Sequence, residues 1–342
     1  MRSVDDERGA IAVSVALLMV VLIGFAALAI DIGALYQERR TLQNGADAGA
    51  LAVAKDCAGT GCVGFDSKAD EYADLNADDG ESNVDDVCGT GLNLPACPVE
   101  PPNVPGGARY VQVTTSTNDV SNPSDPTEVD FNFAPVFDLV APGDAEDHDG
   151  RTMRATAVAA WGPPRAASTG PLTISLCDYE RLVRPRFPLS LLPPFIVSTV
   201  HFNGFPSIAD PLCVASLAPA PGGFGWLDVG ADCEVSTAVN DWVDEQPGGS
   251  VPSCLDPDDL VGTTVIVPVH NAVRGPFLAP DEYRIVGYAA FHVTAYRAGI
   301  PDGLLCVSLN FTCLRGYFTK AITTGTDIGG PDLGVDIIKL VG

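Results

Sequence analysis

The sequence predicts an α+β chain, with a long N-terminal transmembrane helix followed by a mainly β, disulfide-bonded extracellular domain. Three observations predict it. Ile11–Ile30 is a twenty-residue run without a charge. Ten cysteines all lie on its C-terminal side. Beyond the run, 35 Gly and 28 Pro punctuate short β-branched stretches, and aromatics are only 7% of the 342 residues, a composition of short strands and many turns.

The apolar run reads IAVSVALLMVVLIGFAALAI, with Ser14 its one clearly polar member. At the helical rise it covers roughly 30 Å, the hydrocarbon thickness of a bilayer. A buried globular helix would show a polar face, and this one has none. Ile11, Leu17, Leu18, Val21, Leu22, Phe25, Leu28 and Ile30 are the expected lipid-facing anchor. Ala27-Leu28-Ala29 has the form of a signal-peptidase site, but the run exceeds the usual length of a signal h-region. A retained signal-anchor is expected.

Flanking charge does not orient the helix, because Arg2 and Arg8 on one side balance Arg39 and Arg40 on the other. The cysteines decide the expectation. Disulfides persist in oxidising compartments, so the N-terminus is placed in the cytoplasm and the bulk outside the cell. Zinc is the rival use of cysteine, but no C-x2-C knuckle is present. Connectivity does not follow from sequence. Short loops favour Cys57–Cys62, Cys88–Cys97 and Cys306–Cys313; Cys177–Cys213 and Cys233–Cys254 would complete a sequential scheme.

From Asp31 to about Ala54 the helix is expected to continue, since no proline intervenes. Ile32, Leu35, Leu42, Ala46, Gly49 and Val53 form a stripe at three- and four-residue steps. Its small end fits packing either into an assembly or onto the chain's own domain. Three regions follow: 1–56, anchor and helical extension; 57–107, acidic, Cys-containing and irregular; 108–342, mainly β, with Pro163–Gly170 a candidate break.

Within these regions, residues 66–77 read as a short exposed helix. Residues 79–105 read as an irregular excursion pinned by Cys88 and Cys97. Strands are expected at 109–115, 128–140, 152–161, 172–176, 195–202, 261–269, 284–296, 316–323 and 335–341. Pro268 implies an edge or a strand end.

The net charge is −25. Between Asp56 and Gly150 stand 20 acidic residues against Lys68 and Arg109. Such a surface repels nucleic acid, which needs phosphate neutralisation, and excludes it as a partner. Asp144, Glu146, Asp147 and Asp149 are weak calcium candidates, off EF-hand spacing; a solvated acidic loop is favoured. Arg181, Arg184 and Arg186 form a basic cluster. The sequence holds no G-x-S-x-G elbow, H-E-x-x-H or P-loop. His148, His201, His270 and His292 are scattered, with His270 and His292 on strands that would let them face each other. Neither an enzyme, nor a cofactor, nor a small-molecule substrate is expected.

The N-terminal residues carry a resemblance. Arg8-Gly9-Ala10 ahead of the apolar run, then Asp31-Ile32-Gly33, Tyr36, Arg39-Arg40, Leu42-Gln43-Asn44 and Ala46-Asp47-Ala48, resemble the N-terminal module of the TadE/TadG-like Flp pilus-assembly proteins. About one seventh of the chain is covered. Later segments at 154–163, 223–227 and 283–291 are similar to longer actinobacterial members. The resemblance implies a membrane-anchored role in building or displaying a tight-adherence pilus, with other pilus-assembly or surface proteins as partners. Two departures stand out: the fifth residue after Gly9 is Ser14 where related pilins carry the Glu of a processed leader, and no D-x-S-x-S metal motif occurs. The alternative is a surface binding module or adhesin that shares only the anchor.

Overall fold

The computed structural model of this chain describes residues 5–77, 82–117, 129–130, 150–183, 198–201, 223–247, 250–275, 281–297 and 313–341. Helix α1 runs unbroken over Asp5–Gly59, five residues past its expected end. It stops where Thr60 and Gly61 both donate backbone N–H to the Asp56 carbonyl, with Gly61 at φ 99°, a conformation glycine adopts without strain. Helix α2 follows over Phe65–Asp74. It was expected to be exposed, but its Ala69 and Ala73 are buried.

The first sheet has five strands in the order β1 (Asn83–Gly89), β2 (Arg109–Ser116), β5 (Arg154–Gly162), β16 (Val335–Leu340) and β15 (Ala321–Thr323). All neighbours are antiparallel except β15 and β16. Period-two alternation gives the sheet two apolar faces. Val111, Val113, Ala157, Ala159 and Trp161 lie in the core shared with the helices. Tyr110, Val158, Ala160 and Ile337 lie in a second core with Ile328 and Val341.

The second sheet has the order β8 (Ser198–His201), β14 (Cys313–Thr319), β13 (Glu282–Arg297), β12 (Thr264–Arg274), β7 (Leu172–Ser175) and β9 (Phe224–Trp226), with β11 (Trp242–Asp244) also on β13. Its main core gathers Ile174, Phe224, Trp226, Val267, Val269, Phe291 and Leu314. Two ribbons complete the β structure: β6 (Ala166–Thr169) with β10 (Val235–Ala238), and β3 (Val129–Asp130) with β4 (Gly150–Arg151). Tyr288 ties β13 to the first ribbon, because its hydroxyl donates to the Thr237 carbonyl at 2.6 Å and accepts from the Ala167 N–H at 3.2 Å. The chain is α+β: a long apolar N-terminal helix, then a mainly β, disulfide-bonded domain.

Several expectations need correction. Residues 79–105 are not irregular throughout: β1 forms there because Val84 and Val87 pack in the helix–sheet core while its backbone pairs with β2. Pro268 marks neither an edge nor an end. It lies inside β12 between β13 and β7, and its carbonyl accepts the Thr173 hydroxyl at 2.9 Å. The β7 ladder starts one residue later, at Val269, so the missing proline donor interrupts no bond on that side. Residues 316–323 form two strands, broken at Lys320. A short helix, α3 (Leu176–Val183), starts at the last residue expected of the strand 172–176. Ser175 is its N-cap, accepting from the Asp178 N–H at 3.1 Å while its hydroxyl donates to the Asp178 carboxylate at 2.7 Å. That Ser-x-x-Asp signal was present in the sequence.

Candidate functional site

Helix α1 is two devices in one element. From Ile11 to Ile30 every residue except Ala27 is exposed, and the eight anchor residues are each 51–67% exposed. A globular domain does not leave such a run in water. Mean hydropathy reaches 2.9 in this helix, and none of that apolar window is buried within the domain. The helix is long and apolar enough to cross a membrane, and it fits a single-pass anchor with the β domain on its C-terminal side.

Past Leu42 the same helix becomes core. Leu42, Ala46, Ala50, Val53, Ala54, Cys57 and Ala58 are all buried. The expected stripe is therefore correct only from Leu42 onward. Ile32 is 56% exposed and Leu35 is half-buried. The small end of the stripe packs on the chain's own domain rather than presenting itself to an assembly. A Cβ on Gly45 would stand 3.3 Å from the Ala73 carbonyl oxygen, and one on Gly49 3.3 Å from that of Ala69. Two glycines four residues apart thus receive two alanines four residues apart, which lets α1 and α2 backbones approach closely. Gly49→Leu should destabilise the domain by about 1–3 kcal/mol through overpacking, read as a lowered thermal midpoint in detergent. An unchanged midpoint would show that the close approach is not needed.

Polar contacts fix the helix in register on the sheet. The Thr115 hydroxyl donates to the Leu42 carbonyl at 3.1 Å, in a buried position. Gln43 donates to Asp47 at 2.9 Å and to the Thr156 carbonyl at 3.3 Å. The Leu-Gln-Asn and Ala-Asp-Ala segments are thus the seat of the helix on β2 and β5. Burial, with added like charge from Asp74 and Asp66, raises the carboxyl pKa of Asp70 on α2.

Disulfides close the far end. Cys57 bonds Cys62 just past the seat, Cys88 bonds Cys97 beside it, and Cys233 bonds Cys254 in the second half. Cys177 is also disulfide-bonded. Its sequential partner Cys213, and the pairing of Cys306 with Cys313, fall outside the described residues.

The run Gly59-Thr-Gly-Cys-Val-Gly64 has the G-x-G-x-x-G pattern directly ahead of α2. It follows a helix rather than a strand, its Cys62 is locked to Cys57, and α2 carries Asp66 in its first turn. A phosphate-binding turn needs the opposite charge and a preceding strand, so this segment is a tight, stapled connection.

The candidate chemistry elsewhere does not converge. His270 pairs across β12 and β13 with Ile285, and His292 with Thr264, so the two histidines do not face each other. His292 lies near the surface, with Nδ1 3.0 Å from the Thr264 hydroxyl. His270 is fully buried, with Nδ1 3.0 Å from the Thr173 hydroxyl and its ring 4.7 Å from that of Tyr283. The Thr173 hydroxyl is committed to the Pro268 carbonyl, so Nδ1 is the donor. Ser175 is the register partner of His270, yet its hydroxyl goes to Asp178 rather than to the imidazole, which is not the connectivity of a hydrolytic triad. The calcium candidates Asp144, Glu146, Asp147 and Asp149 lie outside the described residues, as do the side chains of the Arg181, Arg184 and Arg186 cluster. Among the described residues no His, Cys, Asp or Glu group is arranged to hold a metal.

Burial lowers the His270 pKa from 6.5 to about 3. The folded chain keeps a neutral ring where the unfolded chain takes up a proton. Stability is therefore full above the ordinary value and falls as pH drops below it, by about 1.4 kcal/mol per unit. His270→Asn should shrink the loss of stability between pH 7 and pH 5 by roughly 2 kcal/mol, measured by denaturant midpoints at both pH values. An equal loss in both proteins would rule the residue out as an acid sensor.

Residues 9–56 match the family model described as Putative Flp pilus-assembly TadE/G-like. No curated protein and no solved structure matches the chain. The matched segment takes in the whole of the apolar run and most of the seat, and ends one residue before Cys57.

Proposed function

We propose that this protein is a membrane-anchored structural or assembly component of a tight-adherence (Flp-type) pilus or a related surface system. Its N-terminus lies in the cytoplasm, its β domain lies outside the cell, and it acts by binding other assembly or surface proteins rather than by chemistry. The observation that carries this reading is the coincidence of the pilus-assembly family match at 9–56 with the helix that is bare over 11–30 and seated in the domain from Leu42. One rigid element holds the domain to the membrane. Disulfides on the domain side support the orientation, since such bonds persist in oxidising compartments.

The test is deletion in the source cell with surface pili counted by electron microscopy. The full chain should restore pili and a version lacking residues 1–30 should not. Protease added to intact cells should remove the β domain and leave the N-terminus. Normal piliation in the deletion strain, with the protein still exposed in the parent, would favour a free-standing adhesin on the same anchor.

A further inference from the structure

We propose that the uncovered face of α1 just beyond the apolar run, made by Ile32, Tyr36, Arg39 and Arg40, binds anionic lipid through the phosphates of its headgroups. This rests on the reading of α1 as a membrane anchor. The four residues are spaced i, i+4, i+7 and i+8 and share one helix face. The adjoining face is covered up to the end of the run: Asp31 is 5% exposed and Leu42 3%, against 56% for Ile32 and 72% for Tyr36. Arg39 and Arg40 are exposed, and neither has a hydrogen-bond or ion-pair partner among the described residues.

The chain has 44 acidic and 19 basic residues. Arg109, Arg154 and Arg274 each hold a carboxylate at 2.9–3.1 Å. The two neck arginines instead stand past the end of the exposed apolar run of the helix. Their Cα atoms lie roughly 14 Å past Ile30 at the helical rise. Helical side chains lean toward the N-terminus, which carries both guanidinium groups back toward a headgroup zone about 5–8 Å deep. Tyr36 sits one turn nearer the hydrocarbon, where aromatic rings with a polar tip are favoured. Guanidinium is the side chain suited to bidentate phosphate contact.

Charge complementarity selects the occupant. The acidic domain is repelled by an anionic leaflet, and the arginine pair supplies local attraction at the one point where the chain enters it. The domain is thereby held with its acidic surfaces turned away from the lipid. A second copy docking through the same face would bring two arginine pairs together.

The experiment places the full chain in nanodiscs of equal parts phosphatidylglycerol and phosphatidylcholine and counts retained lipids by native mass spectrometry. The parent should keep phosphatidylglycerol in preference. Arg39→Gln with Arg40→Gln should reduce that retention roughly tenfold, Arg39→Lys with Arg40→Lys should reduce it far less, and all three chains should resist carbonate extraction from membranes. Equal phosphatidylglycerol retention in the Gln variant overturns the proposal, as does equal retention of both lipids by the parent. A dimer in the parent that is lost in the Gln variant would assign the face to a second copy and also overturn it. Carbonate extraction of the parent itself would overturn the anchor reading instead, and is visible separately from lipid selectivity.

Discussion

Replacing Leu18 and Leu22 by arginine moves the protein from the membrane to the soluble fraction. Both residues are more than 60% exposed at the middle of the apolar run, so neither contributes to the folded domain. Each Leu→Arg change near the helix centre costs about 3–4 kcal/mol of insertion free energy, or roughly 6–8 kcal/mol for the pair. The twelve Leu, Ile, Val and Phe residues of the run supply about 4–7 kcal/mol on the same scale, so the double change cancels the anchor. Carbonate extraction and fractionation read the outcome, and folding of the released domain is followed by its disulfides. Retention of the double variant in membranes would mean that something other than this helix holds the protein there.

Trp161→Ala destabilises the helix–sheet layer with the next largest effect. Trp161 is completely buried in the core shared by α1, α2 and the first sheet, with the Arg109 guanidinium 5.7 Å from its ring. Arg109 in turn holds Asp336 of β16 at 3.0 Å. Truncating a buried Trp to Ala costs about 3–5 kcal/mol, which lowers the thermal midpoint by roughly 10 °C. The indole Nε1 has no hydrogen-bond partner among the described residues. Trp161→Phe forfeits area but also removes an orphaned donor, so it should cost less than about 1.5 kcal/mol. Thermal unfolding of both variants in detergent checks the pair. Equal losses for Ala and Phe would show that the indole N–H is satisfied in solution and that the ring's volume is not the main term.

Signals that act within a few residues were the legible ones. An uncharged run of membrane length declares itself, because lipid exposure forbids a polar face over its whole extent. Strands β2, β5, β13 and β16 were readable because alternation and β-branching are local. Helix α3 was missed although its Ser175-x-x-Asp178 cap was in plain view: the strand reading ended at Leu176 and no element was assigned to 177–183. The strand β1 hid in an acidic, turn-rich stretch. Asp85 and Asp86 mask the pattern, and only the pairing with β2 makes it a strand.

The sequence by itself determined that the chain carries a membrane-length helix, a mainly β remainder and cysteines confined to one side, because hydrophobic length, side-chain period and cysteine position are properties of the chain alone. The tertiary structure alone decided what the helix does after it leaves the apolar run. Gly45 and Gly49 met Ala73 and Ala69, the Thr115 hydroxyl met the Leu42 carbonyl, and Arg39 and Arg40 met no partner among the described residues. The stripe of small residues was compatible with a neighbouring subunit or with the chain's own domain. Which surface comes within van der Waals distance depends on residues tens to more than a hundred positions away, and no local pattern encodes that meeting.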